Sequence, residues 1–312
     1  MKGNDPNMPG RYTRNRKPSI DIYIIAIISI LLTVTGCASH TGTSEESAVS
    51  SEAQGQQDGS GRLQMTFLDT GKSDCIIMDF GDGVIINDTA DADDYEDICV
   101  FLDENGITTI DYMILSHFDK DHIGSAADLI GTYEVGCVLM PDYEEDSEPY
   151  EELMDALEDS GTESVKLQED YSFAIAGAEV YVSVPEQEEY EDDNNYSLIT
   201  AVTYGENRFL LMGDAMKKRT GEFLQTALGE EHYDLIKMPH HGDYHKKLDN
   251  LVECARPAWA VLTAGQERKK LEEETLELLD KYGCQVYDTT DGNVTVESDG
   301  ENITVSQTVY NK

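Results

Sequence analysis

The chain has few basic residues and few histidines. Its 312 residues contain 22 Lys and Arg against 63 Asp and Glu, so the formal net charge at pH 7 is -41. A surface this negative repels phosphate backbones, which argues against broad electrostatic binding of nucleic acid unless bound cations offset the charge. The acidic residues are scattered rather than patterned, and their simplest role is to keep the protein soluble. Because the chain has only seven histidines, any cluster of them is informative.

A long apolar segment is also lacking. The apolar run at 22–34 is shorter than the roughly 20 residues that a membrane-spanning helix needs, but it follows several basic residues and fits the core of a signal peptide. It leads into VTGC, and small residues before a cysteine resemble the lipoprotein cleavage box of bacteria. We predict a lipoprotein-type signal peptide at 1–36 and lipid attachment at Cys37. An ordinary signal peptide and an uncleaved anchor are the alternatives, and all three place the rest outside the cytoplasm.

Neither the remaining cysteines nor the segment after Cys37 points to chemistry. Residues 38–61 are rich in Ser, Gly, Glu and Gln without an apolar period, so 37–61 is predicted to be a lipidated cysteine followed by a flexible linker. The five later cysteines are odd in number, lack CxxC spacing and lie mostly in apolar runs. Buried thiols are therefore favoured over a disulfide framework or metal ligands.

From residue 62 onward, β-rich runs alternate with helical ones. LQMTFLD, CIIMDF and GVIIND predict three successive strands, and DADDYEDICVFLDENG predicts a helix that ends at glycine. Similar alternation continues to ENITVSQT near the end of the chain. This order indicates an α/β fold in which two mixed β-sheets pack together and are covered by helices, with roughly half the chain in each part.

One short motif, HFDKDH, offers two imidazoles and two carboxylates within six residues. His117, Asp119, Asp121 and His122 follow the predicted strand DYMIL, and loops at strand ends hold side chains firmly while leaving them accessible. The set is sufficient to supply ligands to two adjacent cations. In a chain this rich in Asp, a solvated loop is the alternative interpretation.

Two later strand ends favour the metal site. FLLMGDA ends a predicted strand at Asp214, and LIKMPHHGD ends another at His240 and His241. Four of the seven histidines therefore lie in HFDKDH and PHHG. Three strand ends that each carry ligand-type side chains are difficult to assign to chance.

These motifs, in this order, resemble the metallo-β-lactamase superfamily, whose pattern is HxHxDH, a further histidine, Gly-Asp at a strand end, and a late PxHG. The chain is most similar to the branch found in the extracellular domain of the ComEC/Rec2 DNA-uptake protein and its stand-alone relatives, through FLDTGKSD, DNNYSLI, FLLMGDA and MPHHGD. The resemblance spans about residues 63–306. It implies a four-layer αββα sandwich and a hydrolase domain at 62–312.

The resemblance also implies one or two divalent metal ions, zinc or manganese, and a metal-bound hydroxide that attacks an ester or phosphoryl group. His117 and Asp119 would serve the first metal position, and Asp121 and His122 the second together with a late histidine. Asp214 would bridge the two metals. The implied ligand candidates are His117, Asp119, Asp121, His122, Asp214, His240 and His241, of which His241 matches PxHG better than His240. Asp121 and His241 are the candidate catalytic residues, with Asp121 able to orient the nucleophile.

The chain departs from the superfamily pattern on one side of the site. Asp119 stands where the superfamily has histidine, which shifts the metal preference toward manganese. The superfamily's middle histidine is absent, because no histidine lies between His122 and His232. Asn194 or Asn195 occupies about that region, so the first metal position is predicted to be weak or vacant.

Three more residues are candidates for supporting the ligands or contacting the substrate. Asp69 lies on the predicted floor of the site and is a candidate for supporting a ligand. Asp74 has that role or caps a turn. His245, just after PHHG, faces a bound phosphate or lies at a solvated helix start.

The resemblance implies a metal-dependent hydrolase acting on phosphodiester or related phosphoester bonds. A DNA nuclease is the version that the resemblance favours, whereas the negative charge favours a small phosphoester, such as choline- or glycerol-phosphate groups of the cell envelope. The alternatives are a catalytically degenerate binding or scaffold lipoprotein, and lactonase or thioesterase chemistry at the same site. Beyond the substrate, the membrane is the one partner expected, through a lipid on Cys37, and no protein partner is predicted.

Overall fold

The computed structural model describes residues 61–264 and 273–308. The predicted signal peptide at 1–36, Cys37 and the linker up to residue 60 lie outside the described residues. Fifteen strands lie within the described ranges. They are β1 (Leu63–Phe67), β2 (Ile76–Asp79), β3 (Val84–Asn87), β4 (Thr109–Ile114), β5 (Glu134–Pro141), β6 (Glu163–Leu167), β7 (Tyr171–Ile175), β8 (Ala178–Ser183), β9 (Ile199–Tyr204), β10 (Asn207–Leu211), β11 (Leu235–Lys237), β12 (Trp259–Leu262), β13 (Gln285–Asp288), β14 (Val294–Ser298) and β15 (Ile303–Gln307).

Seven α-helices connect these strands in the same described ranges. They are α1 (Tyr95–Glu104), α2 (Lys120–Ile123), α3 (Ala126–Thr132), α4 (Glu148–Ser160), α5 (Lys217–Phe223), α6 (Lys247–Ala255) and α7 (Glu273–Lys281). Single 3₁₀ turns lie at Ala92–Asp94, Asp193–Tyr196, Leu228–Glu230, Pro239–Gly242 and Thr289–Asp291. None of the helices in the described part of the chain is long and apolar enough to cross a membrane.

Helix α4 shows how the sequence specifies its helices. A proline stands in its first turn, where the missing N–H costs no hydrogen bond, and Gly161 ends it in the left-handed conformation with φ 70°. Tyr150, Leu153 and Leu157 recur on one face and are buried. That face packs on the first sheet.

The strands form two mixed sheets. One has eight strands in the order β15-β14-β1-β2-β3-β4-β5-β6, and the other has seven in the order β13-β12-β11-β10-β9-β8-β7. Strands β3 to β6 are parallel, as are β10 to β13, and the remaining pairs are antiparallel. Strands β14 and β15 return to the first sheet beside β1, so the first and last strands of the described chain belong to the same sheet.

Three apolar layers separate the four layers of secondary structure. Alternate residues of one strand enter different layers: Ile76 and Met78 of β2 lie between the sheets, whereas Ile77 faces the helices α1 to α4. In the second sheet, Phe209 lies between the sheets and Leu210 faces α5 to α7. The predicted αββα sandwich is confirmed.

The sequence located most elements but missed three. Strands β6 and β7 carry few apolar residues and lie at sheet edges, where one side needs no strand partner, so their pattern was not recognised. The four-residue helix α2 lies inside HFDKDH and is too short to show a period. The pattern of KKRTGEFLQTALG predicts one continuous helix, but α5 ends at Phe223 and a separate 3₁₀ turn follows at Leu228–Glu230.

The topology brings the motif-bearing loops to one edge of the molecule. β1, β3 and β4 run in the same direction, because β2 is antiparallel to both β1 and β3 while β3 is parallel to β4. β10 and β11 are likewise parallel in the second sheet. The carboxyl ends of these strands therefore share an edge of each sheet, and the loops that follow them meet there.

Candidate metal centre

Three buried imidazoles form the centre of the site. His117 and His122 follow β4, and His241 follows β11, and each is 0% exposed. The rings of His117 and His122 lie 4.1 Å apart, and those of His122 and His241 lie 5.6 Å apart. Two motifs distant in sequence, HFDKDH and PHHG, thus contribute to a single cluster.

Asp214 lies among these rings. Its Oδ2 is 3.1 Å from His241 Nε2 and 3.3 Å from His122 Nε2. Asp121 contacts the same cluster from the cleft side, with its Oδ2 3.5 Å from His241 Nε2 and its side chain 19% exposed. Four candidate ligand sets of the described residues have mutually close atoms. They are His117, His122 and Asp214; Asp121, His122 and His241; Asp74, Asp214 and His241; and Asp74, Asp88 and His122.

Backbone geometry turns these side chains inward. Gly213 has φ 51°, a left-handed conformation that glycine adopts without strain, and it directs Asp214 into the cluster at the end of β10. His240 and His241 have φ 49° and 54°, which is costly for residues with a side chain. Such strain, of order 1–3 kcal/mol per residue, is typical of functional sites.

The outer nitrogen of each ring is held by a polar neighbour. His122 Nδ1 lies 3.1 Å from Asp88 Oδ2, and since a carboxylate only accepts, Nδ1 is the donor. His241 Nδ1 lies 3.1 Å from Thr263 Oγ1, and His117 Nδ1 lies 3.0 Å from Ser116 Oγ. Metal-binding histidines typically donate their second N–H in this way.

The inner nitrogens fit a metal ion. Nε2 of His117, of His122 and of His241 is buried without a well-aligned hydrogen bond, although each lies 3.1–3.5 Å from a carboxylate oxygen. Unpartnered buried polar atoms are costly, so several that converge on one point call for a ligand. Imidazole nitrogens beside carboxylate oxygens are a donor set that suits zinc or manganese.

The electrostatics of the cluster agree with a cation. Burial alone would lower the pKa of His241, but Asp214 and Asp121 overcome it and raise that pKa to about 10. Burial likewise opposes charge on His122, yet Asp214 and Asp88 raise its pKa. The site therefore has an excess of negative charge that a divalent cation would offset, releasing protons from the imidazoles.

Two of the seven ligand candidates lie at the margin. Asp119 is 45% exposed and approaches only His117 Nε2, at 3.5 Å. His240 Nε2 is 4.0 Å from Asp214 Oδ2, while its Nδ1 is 3.0 Å from Asp243 Oδ2. Geometry thus places His241 inside the cluster and His240 beside it.

The two asparagines that stand in place of the missing histidine, Asn194 and Asn195, differ in their hydrogen bonds. Asn195 is buried, its Oδ1 accepts from the backbone N–H of Arg219, and its Nδ2 donates to the carbonyl of Asp192. It therefore supports the start of α5. The side-chain oxygen of Asn194 is buried without a hydrogen-bond partner among the described residues.

The structure places three loop residues whose roles the sequence left open. Asp74 does not cap a turn: it is 0% exposed, forms an ion pair with Lys237, and its Oδ1 lies 3.4 Å from His241 Nδ1. The backbone N–H of Asp69 donates to Asn293 Oδ1. The solvated helix start expected at His245 is wrong, because that ring is buried with its Nε2 3.3 Å from the carbonyl of Ala215.

Sequence reasoning missed Asp88 and Lys237. Asp88 follows β3 in the run GVIIND, and its two oxygens hold the N–H of Ser116 and the ring of His122. Lys237 is a fully buried lysine inside the apolar strand β11. A charged residue at a position that the strand pattern buries is a signal that could have identified Lys237.

A cleft of about 570 Å³ opens beside the cluster. Its lining includes Lys72, Phe118, Asp119, Lys120, Asp121 and Glu145. This volume lies in the range of pockets for small molecules. Asp121 is the residue that belongs both to the cleft and to the metal-ligand sets.

The αββα sandwich and its His/Asp cluster at the shared strand edge define a metallo-β-lactamase-type protein. The sequence profile of the metallo-beta-lactamase superfamily matches residues 66–263, and the chain belongs to this superfamily. The metallo-beta-lactamase fold protein YhfI from Bacillus subtilis superposes with a TM-score of 0.53 at 13% identity, covering 76% of this chain and 100% of that one. That similarity concerns the fold alone.

Two proteins are similar in sequence. ComE operon protein 3 of Bacillus subtilis (strain 168) is 26% identical over 212 residues, which covers 67% of this chain and 27% of that protein. Recombination protein 2 of Haemophilus influenzae is 27% identical over 170 residues, covering 54% of this chain and 19% of that protein. The chain thus spans about a quarter or less of the length of these relatives, and the predicted relationship to the ComEC/Rec2 branch is confirmed.

Proposed function

We propose that the protein is a metal-dependent hydrolase that cleaves small phosphodiesters at the outer face of the cell membrane, to which a lipid on Cys37 anchors it. The observation that carries the metal centre is the set of three buried Nε2 atoms, none with a well-aligned hydrogen bond, that converge with Asp214. His122, His241, Asp214 and Asp121 would hold one cation. His117 and Asp119 would contribute to a second.

A bound divalent cation supplies Lewis acidity, which activates water at neutral pH and offsets negative charge that develops on a phosphoryl group. Residues of the chain orient the water and hold the ligand atoms. Asp121 is the ligand-set residue exposed to the cleft, where its carboxylate can accept a hydrogen bond from water and orient it. The buried rings, held by Asp88 and Thr263, keep the ligand atoms in place.

Charge and size favour a small substrate. The net charge of -41 opposes a polyanion, whereas a single phosphodiester carries one negative charge. Lys72 and Lys120 line the cleft and place two ammonium groups beside the carboxylates of Asp121 and Asp91. The cleft volume of about 570 Å³ suits a molecule of a few tens of atoms.

Metal content is the first test. The purified full-length protein, equilibrated with zinc or manganese, should retain at least one equivalent, and Asp214→Ala should lose it. Glu145→Ala is a matched control, because Glu145 lies in the same cleft but in none of the ligand sets of the described residues. No bound metal in a folded wild type would overturn the hydrolase proposal.

Turnover and location are tested separately. The loaded protein should hydrolyse bis(p-nitrophenyl) phosphate faster than it degrades single-stranded DNA, and Asp121→Asn should lose most of this activity. For the anchor, Cys37→Ser should abolish incorporation of labelled fatty acid and release the protein from the membrane fraction.

A metal-binding module without catalysis is the second candidate. The incomplete ligand set at the first metal position favours this candidate. Asp119 is half-exposed, and the side chain of Asn195 already hydrogen-bonds backbone groups. Tight metal binding without hydrolysis of phosphodiesters, lactones or thioesters would support this candidate.

A further inference from the structure

Lys237 is a buried cation that the proposed chemistry does not use. It ends β11, four residues before His241, and its side chain is 0% exposed. Taking an ammonium out of water is unfavourable by several kcal/mol unless its donors are satisfied. The position therefore needs a specific explanation.

The ammonium has three N–H donors and three acceptors. Its Nζ donates to the carbonyl oxygen of Gly213 at 3.0 Å and to Asp214 Oδ1 at 3.4 Å, and it forms an ion pair with Asp74. These acceptors come from two loops, one after β1 and one after β10. Lys237 thus joins both sheets beneath the imidazole cluster.

The two oxygens of Asp214 have different partners. Oδ1 faces Lys237, whereas Oδ2 faces His122 and His241. Because one oxygen is tied to the ammonium, the plane of the carboxylate is set, and the other oxygen is left for a cation. The backbone N–H of Asp214 donates to Ser197 Oγ at 3.1 Å, which holds the main chain as well.

Lys237 does not line the substrate cleft. Its ammonium contacts Asp74 and Asp214, which in turn contact the ring of His241. Burial would lower its pKa, but Asp74 and Asp214 raise it, so the side chain remains an ammonium. It can act on the site only through the residues that it holds.

We propose that Lys237 is a positioning residue that fixes Asp214 in the orientation required for metal binding. The inference rests on the metal centre of the proposed function. It makes a counterintuitive prediction: removing this positive charge weakens the binding of a cation. Simple Coulomb repulsion predicts the opposite, since loss of a cation near the site would strengthen metal binding.

The decisive variant is Asp74→Asn with Lys237→Met in the full-length protein. It removes one negative and one positive charge, so the net charge of the site is unchanged. Because Asp74 belongs to two of the candidate ligand sets of the described residues, the double variant is compared with Asp74→Asn alone, which isolates the effect of Lys237. Lys237→Met alone leaves the Asp74 carboxylate without its ammonium partner and destabilises the fold, a defect that the double variant avoids. Lys246→Met is the matched control, because Lys246 lies five residues after His241 but is 77% exposed and pairs with Asp249, which is no ligand candidate.

Cobalt affinity and the visible spectrum of the cobalt protein are the readouts, beside the unfolding midpoint of the metal-free protein. The double variant should bind cobalt at least tenfold more weakly than Asp74→Asn, as is usual when a residue that orients a ligand is lost, and its spectrum should differ from that of Asp74→Asn. Lys246→Met should bind cobalt as tightly as the wild type.

The same cobalt affinity and spectrum in the double variant as in Asp74→Asn would overturn the role of Lys237 and leave the metal centre standing. Tighter cobalt binding by Lys237→Met than by the wild type would also overturn the role of Lys237. If the wild type bound no cobalt, the metal centre and the role of Lys237 would both be wrong.

Discussion

Replacing Gly213 by alanine should destabilise the protein and disturb the metal centre together. Gly213 has φ 51°, and in this left-handed region a side chain costs about 1–2 kcal/mol. A Cβ there would lie 2.8 Å from Ser116 Cβ and 3.2 Å from Ser197 Cβ. Forcing such neighbours apart costs typically 1–3 kcal/mol more, so the free energy of unfolding should fall by about 2–5 kcal/mol.

Gly81→Ala separates the two contributions. Gly81 has φ 85°, but a Cβ at that position meets nothing within 4 Å. Its variant should lose only the conformational part, about 1–2 kcal/mol. Urea denaturation of the metal-free proteins measures both losses, with the midpoint shifting and the slope unchanged.

Of the two substitutions, only Gly213→Ala should change the metal site. Ser116 precedes His117 and bonds its ring at 3.0 Å, and Asp214 follows Gly213 directly. Gly213→Ala should therefore weaken zinc binding, whereas Gly81→Ala should leave it unchanged. Equal losses of stability in the two variants, or unaltered zinc affinity in Gly213→Ala, would refute the contact argument.

Two further predictions concern other regions. Partial burial raises the pKa of Asp94 to about 6, above its ordinary 3.8, so its protonated form favours the folded state and that advantage is lost as pH rises through 6. Between pH 5 and 7, wild type should lose about 0.5–1 kcal/mol relative to Asp94→Asn by chemical denaturation, allowing for solvent screening; a constant difference would contradict this. Exposed Cys254 should alkylate faster than buried Cys75 and Cys284 in peptide mass spectrometry, because burial raises both thiol pKa values; equal rates would disprove it.

Much of the fold follows from local pattern. The alternation of apolar residues in LQMTF and the run VIIN identify strands, because each residue's neighbours two positions away share its environment. HFDKDH concentrates ligand-type side chains in six positions, so its chemistry is visible without coordinates. Polar edge strands such as β7 have weaker patterns, and the sequence alone did not show them.

Residues whose role depends on distant partners needed the tertiary structure. The pattern LIKMP predicts a strand, but only packing shows that Lys237 reaches Asp74 and Asp214. PHHG offers two histidines, and the left-handed turn decides that His241 enters the cluster. Sequence by itself determined which side chains are available and which strands carry them. The tertiary structure decided their partners, because those contacts join residues more than 20 positions apart, and in the case of Asp74 and Lys237 more than 160, through the packing of two sheets.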